Sequence, residues 1–164
     1  RDDVTISDAS LLLDTRSEQA VPSKISSAVV YPNNYEYFPW TDDVHVQSFV
    51  DVLGSGLEIS YGKARSGMHF EFGKMVSMDD YSNLVVDYWP GTCQNTIAYF
   101  DSKKLTEANL DNGSLQNGFV RKILPLSEII DTDVTPKGSK SAHRLNLQSV
   151  YANERCVIKS IMLK

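Results

Sequence analysis

The sequence predicts an all-β domain, a β-sandwich or jelly roll of two antiparallel sheets with one or two short helical turns. Three observations lead there. Apolar residues recur with a period of two rather than 3.6. The runs that carry this period are short, repeat along the chain and are bounded by glycine or proline. Between them lies no segment long enough to be the crossover helix of a parallel sheet. The 164 residues fit one domain spanning 1–164, and 41% hydrophobic residues suffice to build a core without help from a metal.

Taken in order, residues 31–40 hold five aromatic rings and two prolines with no clean period, so they read as a loop or irregular edge. A strand is expected at 44–52, followed by a turn at Gly54-Ser55-Gly56. In the next run Leu57, Ile59 and Tyr61 share one face and Glu58 and Ser60 the other. Met68, Phe70 and Phe72 then alternate with His69 and Glu71. Leu84, Val86 and Tyr88 alternate with Val85, Asp87 and Trp89, and Pro90-Gly91 stops that run. Strands at 96–100, 119–124, 144–150 and 156–163 complete the β set. The helical signals are 102–110, ended by Asp111-Asn112-Gly113, and a single turn at 127–130. Residues 131–142 form the best long loop.

Composition and motifs exclude several functions. A net charge of −5 and a pI near 5.1 disfavour a nucleic-acid partner, which requires clustered Lys and Arg. No apolar run approaches the ~20 residues of a membrane-spanning helix, so no membrane partner is expected. The sequence has no nucleophile elbow, phosphate loop or zinc-protease motif. His45, His69 and His143 are scattered; His45 and His69 both fall at outward strand positions and read as hydrogen-bonded or exposed rather than as metal ligands. The acidic pairs Asp2-Asp3, Asp42-Asp43 and Asp79-Asp80 sit where turns are expected, with calcium ligation the alternative. Asn112-Gly113-Ser114 matches a glycosylation acceptor and is first of all a turn signal. Cys93 and Cys156 read as two buried thiols, with one structural bridge as the alternative in an exported protein. The chain opens on Arg1 and reads as a module of a longer secreted protein whose export signal lies outside it.

Aromatic placement is the informative feature. Exposed rigid rings are costly unless they bind something, and sugars present flat C–H patches that stack on them. Tyr35, Tyr37 and Trp40 in the 31–40 segment are candidates of this kind. With Leu84, Val86 and Tyr88 facing the core, Trp89 stands outside beside Asp87, a hydroxyl acceptor. In Arg144-Leu145-Asn146-Leu147-Gln148 the leucines go in, and the amides of Asn146 and Gln148 come out as paired donors and acceptors. Arg121 is a further polar candidate.

The runs 81–88, 119–127, 145–148 and 156–163 together resemble the β-jelly-roll carbohydrate-binding modules, which are similar to the galactose-binding-like sandwich. The resemblance covers residues 40–164 in strand order and style. It implies a non-catalytic module, tethered to a secreted polysaccharide-degrading enzyme, that binds a plant cell-wall β-glucan or xylan. Trp89, Trp40 and Tyr37 would stack on the sugar, with Asp87, Asn146, Gln148 and Arg121 orienting it. Many such modules carry a structural calcium with an Asp in the last strand, where this chain has Lys159 and Ser160. The alternatives are a structural or protein-interaction sandwich and a small glycan-active enzyme. On this reading Trp89→Ala weakens glycan retention and leaves melting unchanged.

Overall fold

The structure, a computed structural model, describes residues 27–33, 36–40, 42–101, 108–129 and 141–164. It is a sandwich of two antiparallel sheets. The strands in chain order are β1 (Ala28–Tyr31), β2 (Tyr37–Pro39), β3 (Val44–Asp51), β4 (Gly54–Tyr61), β5 (Gly67–Ser77), β6 (Asn83–Tyr88) and β7 (Thr96–Phe100). They continue with β8 (Ala108–Asn109), β9 (Ser114–Gln116), β10 (Phe119–Pro125), β11 (Ser141–Ser149) and β12 (Glu154–Leu163). A 3-10 turn covers Met78–Asp80, and one helical turn, α1, covers Leu126–Ile129.

The seven-stranded sheet runs β3-β4-β12-β6-β10-β9, and β1 joins β12 beyond the point where β4 ends. The five-stranded sheet runs β2-β5-β11-β7-β8. The period-two pattern explains the core directly. Leu57, Ile59, Tyr61, Leu84, Val86 and Tyr88 face inward from one sheet. Met68, Phe70, Phe72, Leu145 and Leu147 meet them from the other, and all are buried. Two core phenols find partners across the sandwich, as buried hydroxyls must. Tyr61 donates to the Leu147 carbonyl at 3.1 Å, and Tyr88 donates to the Leu110 carbonyl. Burial pushes both phenol pKa values up.

Several expectations are corrected. The turn lies at Val52-Leu53, where Asp51 Oδ1 accepts from the Leu53 amide at 2.8 Å, and Gly54-Ser55-Gly56 opens β4. Within this strand position 56 has room only for glycine, since a Cβ there would run into the Ile158 carbonyl and stand 2.5 Å from Trp89 Cζ3. The helix expected at 102–110 is not formed at its end: Ala108–Asn109 is a strand that pairs with Ile97 and Ala98. Residues 102–107 of that helix lie outside the described residues. Of the long loop, 131–140 lies outside them too, and 141–142 belong to β11. The irregular edge at 31–40 contains a true edge strand, β2, against β5.

Cys93 and Cys156 are not free thiols; they form a disulfide. Their distance in sequence misleads, because β6 pairs with β12 and carries the turn holding Cys93 back to the start of β12. There the Cys93 amide donates to the Arg155 carbonyl at 3.0 Å. Among the described residues no helix is long and apolar enough to cross a membrane.

Candidate functional site

The outward positions of the five-stranded sheet line up across four strands. Phe38 on β2 pairs with His69 on β5, His69 with Asn146 on β11, and Asn146 with Tyr99 on β7. This row follows from period-two alternation combined with register, since one residue of slip on any strand would send its member into the core. Beside it Trp40 folds over the start of β5. Its backbone amide donates to the Gly67 carbonyl at 3.0 Å, and a Cβ on Gly67 would stand 2.5 Å from the indole. Glycine at 67 is what lets the indole lie flat there. The Trp40 ring centroid is 4.9 Å from that of His69 and 6.3 Å from that of Tyr99. Phe38 meets His69 edge-on at 5.2 Å. Trp40, His69, Tyr99, Asp101, Arg144 and Asn146 bound an open trough of about 610 Å³.

The polar groups of this face are held by hydrogen bonds to the backbone and to one another. Asn146 is only 2% exposed although it points away from the core, because the rings cover it. Its Nδ2 donates to the Asp101 carbonyl, so its Oδ1 accepts from His69 Nδ1. Neutral His69 therefore carries its proton on Nδ1 and keeps Nε2 as an acceptor. Asp101, at φ 49°, turns its carboxylate back to accept from the His143 and Arg144 amides at 2.9 and 3.0 Å. Arg144 pairs with Glu71, its Nε 2.7 Å from Oε2 and its Nη2 donating to Oε1 at 3.4 Å. Gln148, 5% exposed, donates to the Arg65 carbonyl at 3.1 Å and keeps Oε1 unmatched. An aromatic wall over fixed amides, imidazole and carboxylate suits a flat, hydroxyl-rich ligand.

The sequence candidates are thus divided. Trp40, Asn146 and Gln148 belong to this face. Tyr37 pairs with Phe70 and stacks on that core ring at 6.0 Å, which puts it at the sandwich edge instead. Tyr35 lies outside the described residues. Asp87, Arg121 and Trp89 belong to the opposite sheet. Trp89 has the expected strand phase and none of the expected exposure. It is 6% exposed, with Phe49 and Phe119 edge-on to it at 5.0 and 4.8 Å. Its Nε1 donates to Asp51 Oδ2 at 2.7 Å. The correction has a simple cause: strands remote in sequence supply the rings that cover it. His45 and His69 likewise stand on different sheets, on β3 and β5.

Phe38, His69, Tyr99, Asp101 and Arg144 were not among the sequence candidates for the site. His69 and Tyr99 are outward members of alternating runs and were open to discovery on that ground. Asp101 acts through a left-handed turn that nothing local announces. Among the described residues, no three His, Cys, Asp or Glu side chains converge as metal ligands. In the last strand Lys159 places an ammonium where the resemblance puts an acid, so among the described residues nothing fits the calcium the resemblance implies.

The architecture is that of the carbohydrate-binding-module β-sandwich. No protein-family model and no curated protein matches the sequence. Among solved structures, the chain is similar to the family 11 carbohydrate-binding module of a cellulosomal cellulase of Clostridium thermocellum. The TM-score is 0.57 at 13% identity, over 84% of this chain and 92% of that one. A second structure of the Clostridium thermocellum family 11 module, in complex with a β-1,3-1,4-mixed-linked tetrasaccharide, gives 0.54 at 13% identity, over 84% and 94%. A family 29 carbohydrate-binding module variant gives 0.55 at 12% identity, over 85% and 91%.

Proposed function

We propose that the outer face of the five-stranded sheet binds a polysaccharide chain without cleaving it, with a plant cell-wall β-glucan or xylan as the substrate class. The carrying observation is the trough in which Trp40 stands over a cross-strand row of His69, Asn146 and Tyr99. Trp40 offers the stacking ring. The buried Asn146 amide, held by the Asp101 carbonyl, fixes the His69 ring, so the imidazole is preorganised to meet a sugar hydroxyl through Nε2, which lowers the ordering cost of binding. The fold likeness supports this reading, since one similar module is held in complex with a β-1,3-1,4-mixed-linked tetrasaccharide. Ring stacking contributes on the order of 1–3 kcal/mol per contact by analogy with bases on aromatic side chains. A few such contacts, less the entropy of association, give roughly micromolar to millimolar affinity. The module then serves a secreted glycan-degrading enzyme in the same parent protein by keeping it on its substrate.

Affinity electrophoresis in gels containing mixed-linked β-glucan or xylan tests this. The wild type should be retarded, and Trp40→Ala should lose at least about tenfold in affinity while its far-UV spectrum stays that of a β-sandwich. Unchanged retardation of Trp40→Ala removes the five-stranded face as the site. Release of reducing sugar from either polysaccharide would make the protein an enzyme instead.

A further inference from the structure

The outer face of the seven-stranded sheet carries a second hollow, of about 300 Å³, on the opposite side of the sandwich from the trough. On its floor Asp87 and Arg121 face each other across β6 and β10. Arg121 Nε donates to Oδ1 and Nη2 to Oδ2, each at 2.8 Å, which engages two of the five donors a guanidinium carries. The Asp87 carboxylate is therefore already neutralised.

The second cation is placed there by a fault in the strand. Ile158 pairs with Tyr88 and Ser160 with Asp87, so Lys159 is the extra residue of a β-bulge in β12. Bulges re-aim side chains, and here Lys159 and Ser160 both line the hollow. Lys159 Nζ lies 5.5 Å from the Phe119 ring centroid and 3.4 Å from the Ser55 carbonyl, and neither neighbour is an anion. Glycine at 54 gives the ammonium its space, since a Cβ there would come within 2.8 Å of Nζ. Two cations against one paired carboxylate make a local positive excess on a protein of net charge −5. Such an excess selects an anion.

The remaining groups say what kind of anion. Phe119 is a half-buried ring beside the ammonium. Gln116 faces Phe119 across the β9–β10 hairpin, and its turn, Asn117-Gly118 with φ of 54° and 89°, is the two-residue type that fixes strand register. Ser160 Oγ lies 3.4 Å from Asp87 Oδ2. A ring, an amide and a hydroxyl around two cations describe a polyol that bears a carboxylate.

We infer that this hollow is a second binding site, for a uronate sugar residue, with Lys159 and Arg121 on its carboxylate and Phe119 against its ring. This site stands independently of the five-stranded face, and a protein with both would hold an acidic and a neutral polysaccharide on opposite sides.

Isothermal titration with trigalacturonate and with its methyl ester tests the site, using wild type, Lys159→Gln and Trp40→Ala. The wild type should bind the acid at least about tenfold more tightly than the ester, and added salt should weaken the acid's binding. Lys159→Gln should lose about tenfold for the acid, and Trp40→Ala should keep wild-type affinity. On the unmodified protein, amide shifts caused by trigalacturonate should gather at residues 116–121 and 159–160, a readout that needs no variant to fold. No binding of the acid, equal binding of acid and ester, or loss in Trp40→Ala with retention in Lys159→Gln each overturns the inference. Failure of Trp40→Ala to affect glucan retardation, by contrast, touches only the first face.

Discussion

Trp89 shows how much one side chain's role depends on neighbours that the local sequence does not show. Its indole lies against Gly56 in T-shaped contact with Phe49 and Phe119, with Nε1 bonded to Asp51. The Arg155 guanidinium carbon lies 5.9 Å from the Phe49 centroid and Lys159 Nζ 5.5 Å from the Phe119 centroid. This is a small apolar cluster on the far side of the sheet from the main core. Truncating a buried Trp removes its transfer free energy and leaves a cavity, so Trp89→Ala should cost about 3–5 kcal/mol. Urea unfolding checks it; a midpoint within error of wild type would mean the ring carries no packing. Glucan retardation of the folded fraction should be unchanged, since Trp40 lies on the other sheet. The strand phase of Trp89 was legible from Leu84, Val86 and Tyr88, but its cover was not, because Phe49 and Phe119 come from β3 and β10. Trp40 is the opposite case: an aperiodic segment beside Pro39 leaves the ring half-buried on the outer face of the five-stranded sheet, and its partners arrive only with sheet register.

Single elements carry the next level of argument, and β4 shows it through Glu58. Its carboxylate accepts from Gln47 Nε2 on β3 at 2.7 Å and from Arg155 Nε on β12 at 2.6 Å, joining three strands on their outer face. These bonds, Gln47's first and Arg155's second, hold the Glu58 pKa below its ordinary value. A depressed folded pKa means the charged form is favoured by folding. The contribution is therefore full above the unfolded Glu value, about 4.3, and is lost as pH falls through the lower folded value. Arg155 is 47% exposed, so solvent and salt screen the pair and its worth stays at about 0.2–1 kcal/mol. Wild type should exceed Glu58→Gln in stability by that margin at pH 7, with the gap closing as the medium approaches pH 2. A gap that persists in acid would assign the effect to something other than charge. Among the elements, those with three or more alternating residues (β4, β5, β6 and β11) were legible from period alone. The short edge strands β1, β2, β8 and β9 were not, because two to four residues cannot display a period and their pairing depends on a long neighbour.

At the scale of the whole molecule, the disulfide ties the two sheets' topology together. Cys93 follows β6 and Cys156 lies in β12, both in the seven-stranded sheet, and the 63-residue separation between them encloses β7 and β11 of the trough face. Cross-linking a loop of that length lowers the entropy of the unfolded chain by an amount worth roughly 4 kcal/mol in the chain-entropy account. Both cysteines are fully buried, so a thiol reductant reaches them only when the fold opens. Two outcomes are expected together. Native protein in dithiothreitol should keep its bridge, and urea near the transition midpoint should make it reducible. The Cys93→Ala, Cys156→Ala pair should unfold at lower urea, with stability reduced by roughly 3–4 kcal/mol and the slope of the transition altered by a less restricted unfolded state. Unfolding curves of oxidised, reduced and doubly substituted protein separate the effects. If reduced and substituted forms agree, the loss belongs to the missing cross-link. If the substituted form alone is weak, it belongs to the volume of two buried sulfurs, and the bridge contributes little to holding β7 and β11 beneath Trp40.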